Sequence, residues 1–490
     1  MFLVMVTWDA PYAAVPLMHD EWAYWTQASQ YAALHWSVPM PPIPEFFEQL
    51  YVLVFPTFAA KYPPGHAIVI APGFAIGMPS LVPLLLTAIT GALVFALARR
   101  LAGVWVAALT CLLWVSTFGN LRFRATYFSE LTTSCAWMLA WWALIRWRDT
   151  RQWQWMATLA LATGWGAITR PATMFLFAIP LGAVVFRDVV QSKRWSQLAI
   201  GVACGMAVLA ILPFWSMRVT GNWRVTPLAE YTKQYLPFDI PGYTVDKTRP
   251  TRSLPVEMER TRTFLRDIKT EQVTTPVLTT FVARAGLLMR DAFDGWRFPF
   301  AIAFLIGAVM GGPAAWFAAA TSLLLVIGYV TQAHTADWSI YYLETYPAIA
   351  FVAALGVRTI WRRTANGRRG VHALPARALP VLLLVASTGV AYDVLTARDT
   401  LRRIASHTRA FRAGVANLPK KPNIVFVRYM PPERRNMHIS LVANEGDLQH
   451  AQSWIVHDRG PENLRLMDVA GGRTSYLYDE SKNIFYEMTR

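Results

Sequence analysis

Apolar runs of about 15 to 21 residues, each close to the ~20 that cross a bilayer as a helix, recur from residue 79 to residue 395. The loops between them alternate between strongly basic and nearly free of Lys and Arg. No single soluble core takes up that much apolar helix, so the chain reads as a polytopic α-helical membrane protein. Ten complete spans are expected, at 79–98, 103–119, 128–147, 153–169, 172–186, 196–216, 297–312, 314–331, 341–361 and 378–395. The loops Arg99–Arg100, Arg146–Arg151, Arg187–Arg194 and Arg358–Arg377 hold fourteen Lys and Arg, against three in 120–127, 170–171 and 332–340. The positive-inside rule assigns the basic set to the cytoplasm. Segments 19–78 and 218–295 and the C-terminal residues 396–490 then share the extracytoplasmic side of an inner or plasma membrane.

Composition matters where it excludes a function. A formal net charge of +16 would suit a nucleic-acid binder, but the cations sit between apolar runs rather than on a solvated domain. Nucleic acid is therefore not expected as a partner. Cys111, Cys135 and Cys204 are odd in number and lie in apolar stretches, which fits packing rather than a disulfide framework. The opening run lacks a basic n-region and a cleavage site and is broken by Asp9, Pro11 and Pro16. It amounts to part of a first span.

The chemistry-bearing residues fall on the inferred outer side. His19-Asp20-Glu21-Trp22 places two adjacent carboxylates at the rim of the bundle, where acids are costly and mark function by default. Residues 20–36 mix aromatic and polar side chains as a helix lying along headgroups would, and 45–60 reads as a second interfacial helix. Lys61-Tyr62-Pro63-Pro64-Gly65-His66 forms a turn, and Tyr127-Phe128-Ser129-Glu130 and Thr169-Arg170-Pro171 stand at span ends. The long loop at 218–295 carries Tyr231, Tyr235, Asp239 and Tyr243, and His334, Tyr341, Tyr342 and Glu344 precede the penultimate span. From 396 the composition becomes that of a soluble domain, with β-rich runs at 424–428, 453–457, 475–478 and 484–486 and a helix at 461–469. It contains neither a P-loop nor a G-x-G-x-x-G.

The order Asp-Glu pair, Tyr-Pro-Pro-Gly turn, then a span ending Ala-Arg-Arg-Leu-Ala-Gly resembles the GT-C membrane glycosyltransferases. Within them it is similar to the dolichyl-phosphate-mannose-protein mannosyltransferase and aminoarabinose transferase group, glycosyltransferase family 39, over residues 1–395. The resemblance implies transfer of a sugar from a polyprenyl-phosphate donor to an acceptor hydroxyl of a lipid, glycan or protein, with inversion. By it, Asp20 is the general base and Glu21 its neighbour, while Lys61 and Arg170 meet the donor phosphate. Tyr62, Glu130, Tyr231, Tyr235, His334, Tyr342 and Glu344 would line the substrate.

Each residue also has a plainer role. Lys61 suits an interfacial lysine that snorkels, Arg170 a helix cap, and His66 a satisfied interfacial histidine. Asp20, Glu130 and His334 are of ligand type for a divalent metal but lie far apart in the chain, so no cofactor is assigned. Two other classes are weighed against the transferase. A transporter or lipid flippase would hold its charges at midplane on broken helices within inverted repeats, and no repeat is seen. A membrane sensor would leave the acid pair and the Pro-Pro turn without a purpose.

Overall fold

The protein is described by a computed structural model covering residues 15–489, apart from 118, 120–122, 124–125 and 367–372. The expected partial first span, with Asp9, lies outside the described residues, as do Arg122 and Arg124. The membrane part is helical throughout. Its helices are α1 (His19–Ala32), α2 (Gly65–Ala75), α3 (Leu81–Ala102), α4 (Val104–Ser116), α5 (Glu130–Thr150), α6 (Trp153–Ala167), α7 (Pro171–Ser192), α8 (Trp195–Leu209) and α9 (Ile211–Thr220). They continue as α10 (Pro227–Tyr235), α11 (Val256–Thr274), α12 (Val277–Phe293), α13 (Pro299–Met310), α14 (Pro313–Tyr329), α15 (Tyr346–Asn366) and α16 (Ala373–Ala416).

A helix occupies every stretch read as a span, but the described helices differ in reach. Four segments are long and apolar enough to cross a membrane: Leu81–Ala102, Pro171–Ser192, Trp195–Thr220 and Ser339–Arg363. Helices α13 and α14 meet at 112° across Gly311 and Gly312 and together make a fifth candidate rather than the two separate spans expected. Helix α3 ends where the sequence says it should, with Arg99 and Arg100 in its last turn and Gly103 at a φ of 97° that an L side chain rarely adopts. The segment around α15 is the most enclosed. Gly356 and Gly307 let α13 and α15 touch backbone to backbone, since a Cβ on Gly356 would stand 1.7 Å from the Ala303 carbonyl oxygen. Outward, Phe175, Ile179, Phe186, Val202, Met206, Leu305 and Val309 are exposed, the apolar girdle that lipid requires.

Three expectations are corrected. Residues 45–60 are not a helix. After a single 3-10 turn at Pro44–Phe46 they form strands β2 (Val52–Leu53) and β3 (Thr57–Ala60), which with β1 (Val38–Pro39) make a small antiparallel sheet of order β1-β3-β2. The run Tyr51 to Phe58 is rich in β-branched and aromatic residues, and Pro56 would break a helix there. Helix α1 does not lie exposed along headgroups: Trp22, Tyr24, Thr26, Gln27 and Gln30 are all buried, because other elements cover both its faces. The long loop at 218–295 is mostly α10, α11 and α12, opened by Thr226, whose side chain accepts from the Ala229 amide ahead of Pro227.

The C-terminal region forms the α/β sheet the sequence indicates. Strands β4 (Asn423–Arg428), β5 (Ser453–His457), β6 (Thr474–Asp479) and β7 (Ile484–Glu487) pair in the order β5-β4-β6-β7, parallel except for β6 with β7, and α17 (Asn463–Val469) links β5 to β6. Alternation along β4 explains its seat. Val425 and Val427 pack on Phe411 and Val415 of α16, while Ile424 and Phe426 pack on Phe46, Phe47 and Val52 of the small N-terminal sheet. Helix α16 runs unbroken through residue 396, where the composition changes, and delivers the sheet onto α1.

Candidate active site

Asp20 sits in the first turn of α1, partly buried, and its Oδ1 accepts a hydrogen bond from the Tyr62 phenol. The Tyr62 ring is itself stacked on Tyr24, one turn along α1, at 4.6 Å between centroids. Burial pushes the Asp20 carboxyl above the usual carboxylate range, and the Tyr62 bond and the Lys61 charge pull only part of the way back. A carboxylate tuned upward in this way is better matched to taking a proton near neutral pH.

Glu21, its neighbour, is placed quite differently. Its Oε2 accepts the Leu17 and Met18 amides and its Oε1 the Tyr127 amide, each at 3.0 Å. The side chain is only 2% exposed. It fastens the start of α1 to the segment before α5, and three of its acceptor positions are already occupied.

Lys61 does not snorkel. It is 5% exposed, and its Nζ stands 4.0 Å above the Tyr51 ring, 5.1 Å from Tyr231 and 5.2 Å from Tyr62. Among the described residues no carboxylate oxygen lies within 4.0 Å of it. Burial lowers its pKa, while Asp239 and Asp20 act from further off to keep it charged. Tyr51 turns its ring onto the ammonium from a backbone φ of 67°, a strained value for a tyrosine, and its amide donates to the Tyr231 hydroxyl at 2.9 Å. A buried ammonium held by three π faces is well retained yet keeps its donors for an incoming anion.

Arg170 is held between acids. Its guanidinium bonds Glu130 at the start of α5, lies 3.5 Å from Glu344, and donates to the Tyr329 hydroxyl at 2.8 Å. Glu344 is fully buried. Glu130 and Arg170 each lie within electrostatic reach of the Asp20 and Tyr24 pair, so the ion cluster and the acid form one region.

The remaining sequence candidates form an outer layer. Tyr231 lines the lysine cage, but Tyr235 lies behind it, donating to Glu48 at 2.6 Å in a network with Arg252. His334 is stacked on Tyr341 at 4.4 Å and bonded to the Thr335 carbonyl and the Tyr342 hydroxyl. Burial lowers its pKa to about 3, so it is neutral. His66 is a satisfied histidine, bonded to Thr132 and to the Tyr127 carbonyl, each at 2.8 Å. Tyr51 and Tyr329 belong to the cluster and were not named from sequence, and Tyr341, named on the outer side, was not assigned to the substrate. Tyr51 was hidden by the helix reading of 45–60, and Tyr341 looked like an interfacial aromatic. Among the described residues no three His, Cys, Asp or Glu side chains group as a metal would need. Of the residues of ligand type, Glu130 engages Arg170 and His334 bonds Tyr342 and Thr335.

The fold is similar to that of the GT-C membrane glycosyltransferases, the group that the sequence resembles. Residues 61–216, from the caged lysine to α9, match the family model for dolichyl-phosphate-mannose-protein mannosyltransferase. The fold is similar to the crystal structure of ArnT from Cupriavidus metallidurans bound to undecaprenyl phosphate, with a TM-score of 0.57, 13% identity, and coverage of 97% of this chain and 92% of that one. Its apo-state crystal structure aligns with a TM-score of 0.51, 14% identity and the same coverage. No curated protein matches the sequence.

Proposed function

We propose that the chain is a glycosyltransferase that moves a sugar from a polyprenyl-phosphate carrier to an acceptor hydroxyl on the extracytoplasmic face, with inversion. The supporting observation is that one residue, Tyr62, bonds the Asp20 carboxylate through its hydroxyl and faces the caged Lys61 ammonium with its ring. Asp20 takes the acceptor proton as the hydroxyl oxygen bonds to the anomeric carbon. The bond from that carbon to the phosphate oxygen breaks, and its electron pair leaves with the polyprenyl phosphate. Lys61 balances the charge that grows there, the electrostatic contribution on which such transfers depend. The undecaprenyl phosphate held by the similar ArnT structure supports a carrier of this class.

Arg170 stands second in line for the phosphate. Two carboxylates already balance it, so in this reading it orders Glu130 and Glu344 on the substrate side, beside Tyr62 and Tyr231. Glu21 positions Asp20 by fixing the first turn of α1. A flippase would need ionisable groups where a helix breaks at midplane, and the break between α13 and α14 contains only Gly311 and Gly312.

The test is transfer of labelled sugar from a panel of polyprenyl-phosphate sugars, in membranes holding the parent chain or Asp20→Asn. One donor should be consumed by the parent and spared by an equally abundant variant. Undiminished consumption by the variant would remove Asp20 from its role.

A further inference from the structure

A second feature borders the start of α1. Phe264 on α11, Trp338 and Tyr341 before α15, and His438 from the loop after β4 come together with centroids 5.6 to 6.3 Å apart: Phe264 to His438 at 5.6 Å, Phe264 to Trp338 at 6.1 Å, Trp338 to His438 at 6.2 Å and Trp338 to Tyr341 at 6.3 Å. The Trp338 and Tyr341 planes differ by only 15°. All four side chains are partly exposed, unlike the aromatics of the bundle core.

The backbone ties this wall to the proposed base. The Met437 carbonyl accepts both His19 Nε2 and Thr261 Oγ1, each at 2.9 Å. Asp20 directly follows His19, His438 directly follows Met437, and Phe264 stands one turn beyond Thr261. Asp20 also feels His438 electrostatically, and Tyr341 feels Asp20. Tyr341 is held from behind by His334, which Thr335 and Tyr342 fix in turn.

We propose that Phe264, Trp338, Tyr341 and His438 form the acceptor subsite and take the ring of a saccharide, so that the attacking hydroxyl belongs to a sugar. The inference rests on the transferase reading above and names its acceptor. A pyranose has one face of C–H groups and a rim of hydroxyls. The wall offers the near-parallel Trp338 and Tyr341 rings for the first, and for the second the exposed Asp337 carboxylate beside Trp338 in the chain. An extended peptide would instead need a sheet edge or a groove with backbone partners, and this surface is made of rings from three separate segments.

The full chain in lipid nanodiscs would be titrated by ligand-detected NMR with soluble oligosaccharides of hexose, N-acetylhexosamine and pentose units, and with a Ser/Thr-rich peptide, each to about 10 mM, where even weak contacts register. Undecaprenyl phosphate binding would be measured on the same preparation. At least one saccharide should bind the parent, bind about tenfold more weakly to Trp338→Ala, and recover most of the loss in Trp338→Phe, which restores a ring face. Phe264→Leu serves as the second variant should Trp338→Ala fail to fold.

Absence of saturable saccharide binding to a parent that does bind undecaprenyl phosphate overturns the subsite alone. Saccharide binding indifferent to both variants overturns it too, as does Trp338-dependent binding of the peptide only. Saccharide binding without any lipid phosphate binding would instead count against the transferase reading.

Discussion

Lys61 and Arg170 both bring positive charge to the cluster around Asp20, yet one sits among tyrosine rings and the other between two carboxylates. The arginine is a member of a closed ion network, and its charge is consumed by the fold. The lysine is anchored by π faces that do not neutralise it, and it remains able to compensate a ligand. The two acids of α1 divide in the same way. Glu21 spends its oxygens on three backbone amides, while Asp20 is bonded by one phenol beside the ammonium. In each pair the group invested in backbone or ion-pair contacts holds the structure, and the group left with spare capacity is the one suited to chemistry.

The sharpest way to break this division is at the acids. Asp20→Asn keeps the shape and removes the base, and it should lower kcat for sugar transfer by about 10²- to 10⁴-fold, the usual worth of a positioned general base. Single-turnover transfer from preloaded donor measures it. A comparable loss in Glu21→Gln at full folded yield would erase the distinction between them.

At the cations the two variants should differ in kind. Arg170→Gln removes the cation that Glu130 and Glu344 share, a change of about 3 to 5 kcal/mol in stability for a broken buried pair, seen as a lowered unfolding temperature. Lys61→Met removes a charge that has no ion-pair partner among the described residues, so unfolding should shift little. Its effect should appear as undecaprenyl phosphate binding weakened by about 10- to 100-fold, the worth of a charged hydrogen bond. If Lys61→Met unfolds the chain while Arg170→Gln only weakens binding, the assignment is reversed.

The pH profile sharpens the comparison further. Asp20 has a raised pKa, so its basic form is lost as pH falls at values above the ordinary carboxylate range. The acid limb of kcat should therefore lie higher than that of an unperturbed aspartate, near pH 4. An acid limb at the ordinary position would mean that Asp20 is better solvated than the geometry indicates.

Much of this was legible in the sequence, for physical reasons. Apolar length and Lys/Arg asymmetry report on bilayer solvent directly, so the helices fell where expected and Arg99, Arg100 and Gly103 marked their end correctly. The short β-rich runs of the C-terminal sheet were equally readable, because parallel strands buried on both faces must be continuously apolar. Between residues 36 and 60 tertiary context decided the outcome. The short strands there exist because the C-terminal sheet covers them, and no local pattern announces a partner some 370 residues away. The same distance explains the site. Asp20, Lys61 and Arg170 were found as charges at loop positions, but which of them are consumed by partners depends on Glu344, Tyr51 and Tyr231, whose approach is purely three-dimensional. Tyr341 was visible as an outer-side aromatic, but its pairing with Trp338 was not, for the same reason.

A last effect concerns Glu21 and tests whether it belongs to the structure. Burial raises its folded pKa to about 7 even though three amides donate to it, whereas an unfolded glutamate titrates near 4.5. A group with a raised folded pKa binds its proton more tightly in the native state. Its favourable contribution is complete below the unfolded value and is lost as pH rises through the folded one. The parent should therefore lose stability from this group between about pH 4.5 and 7. Glu21→Gln cannot titrate, so the difference in unfolding temperature between the two should change across that window and stay level outside it. At the acid end the parent carboxyl is protonated and, like the amide, has a single carbonyl oxygen, so the glutamine should cost little there, about 0.5 kcal/mol. A parent-minus-variant difference flat from pH 4 to 8 would show that solvent reaches Glu21, and the contrast between the two acids of α1 would then rest on Asp20 alone.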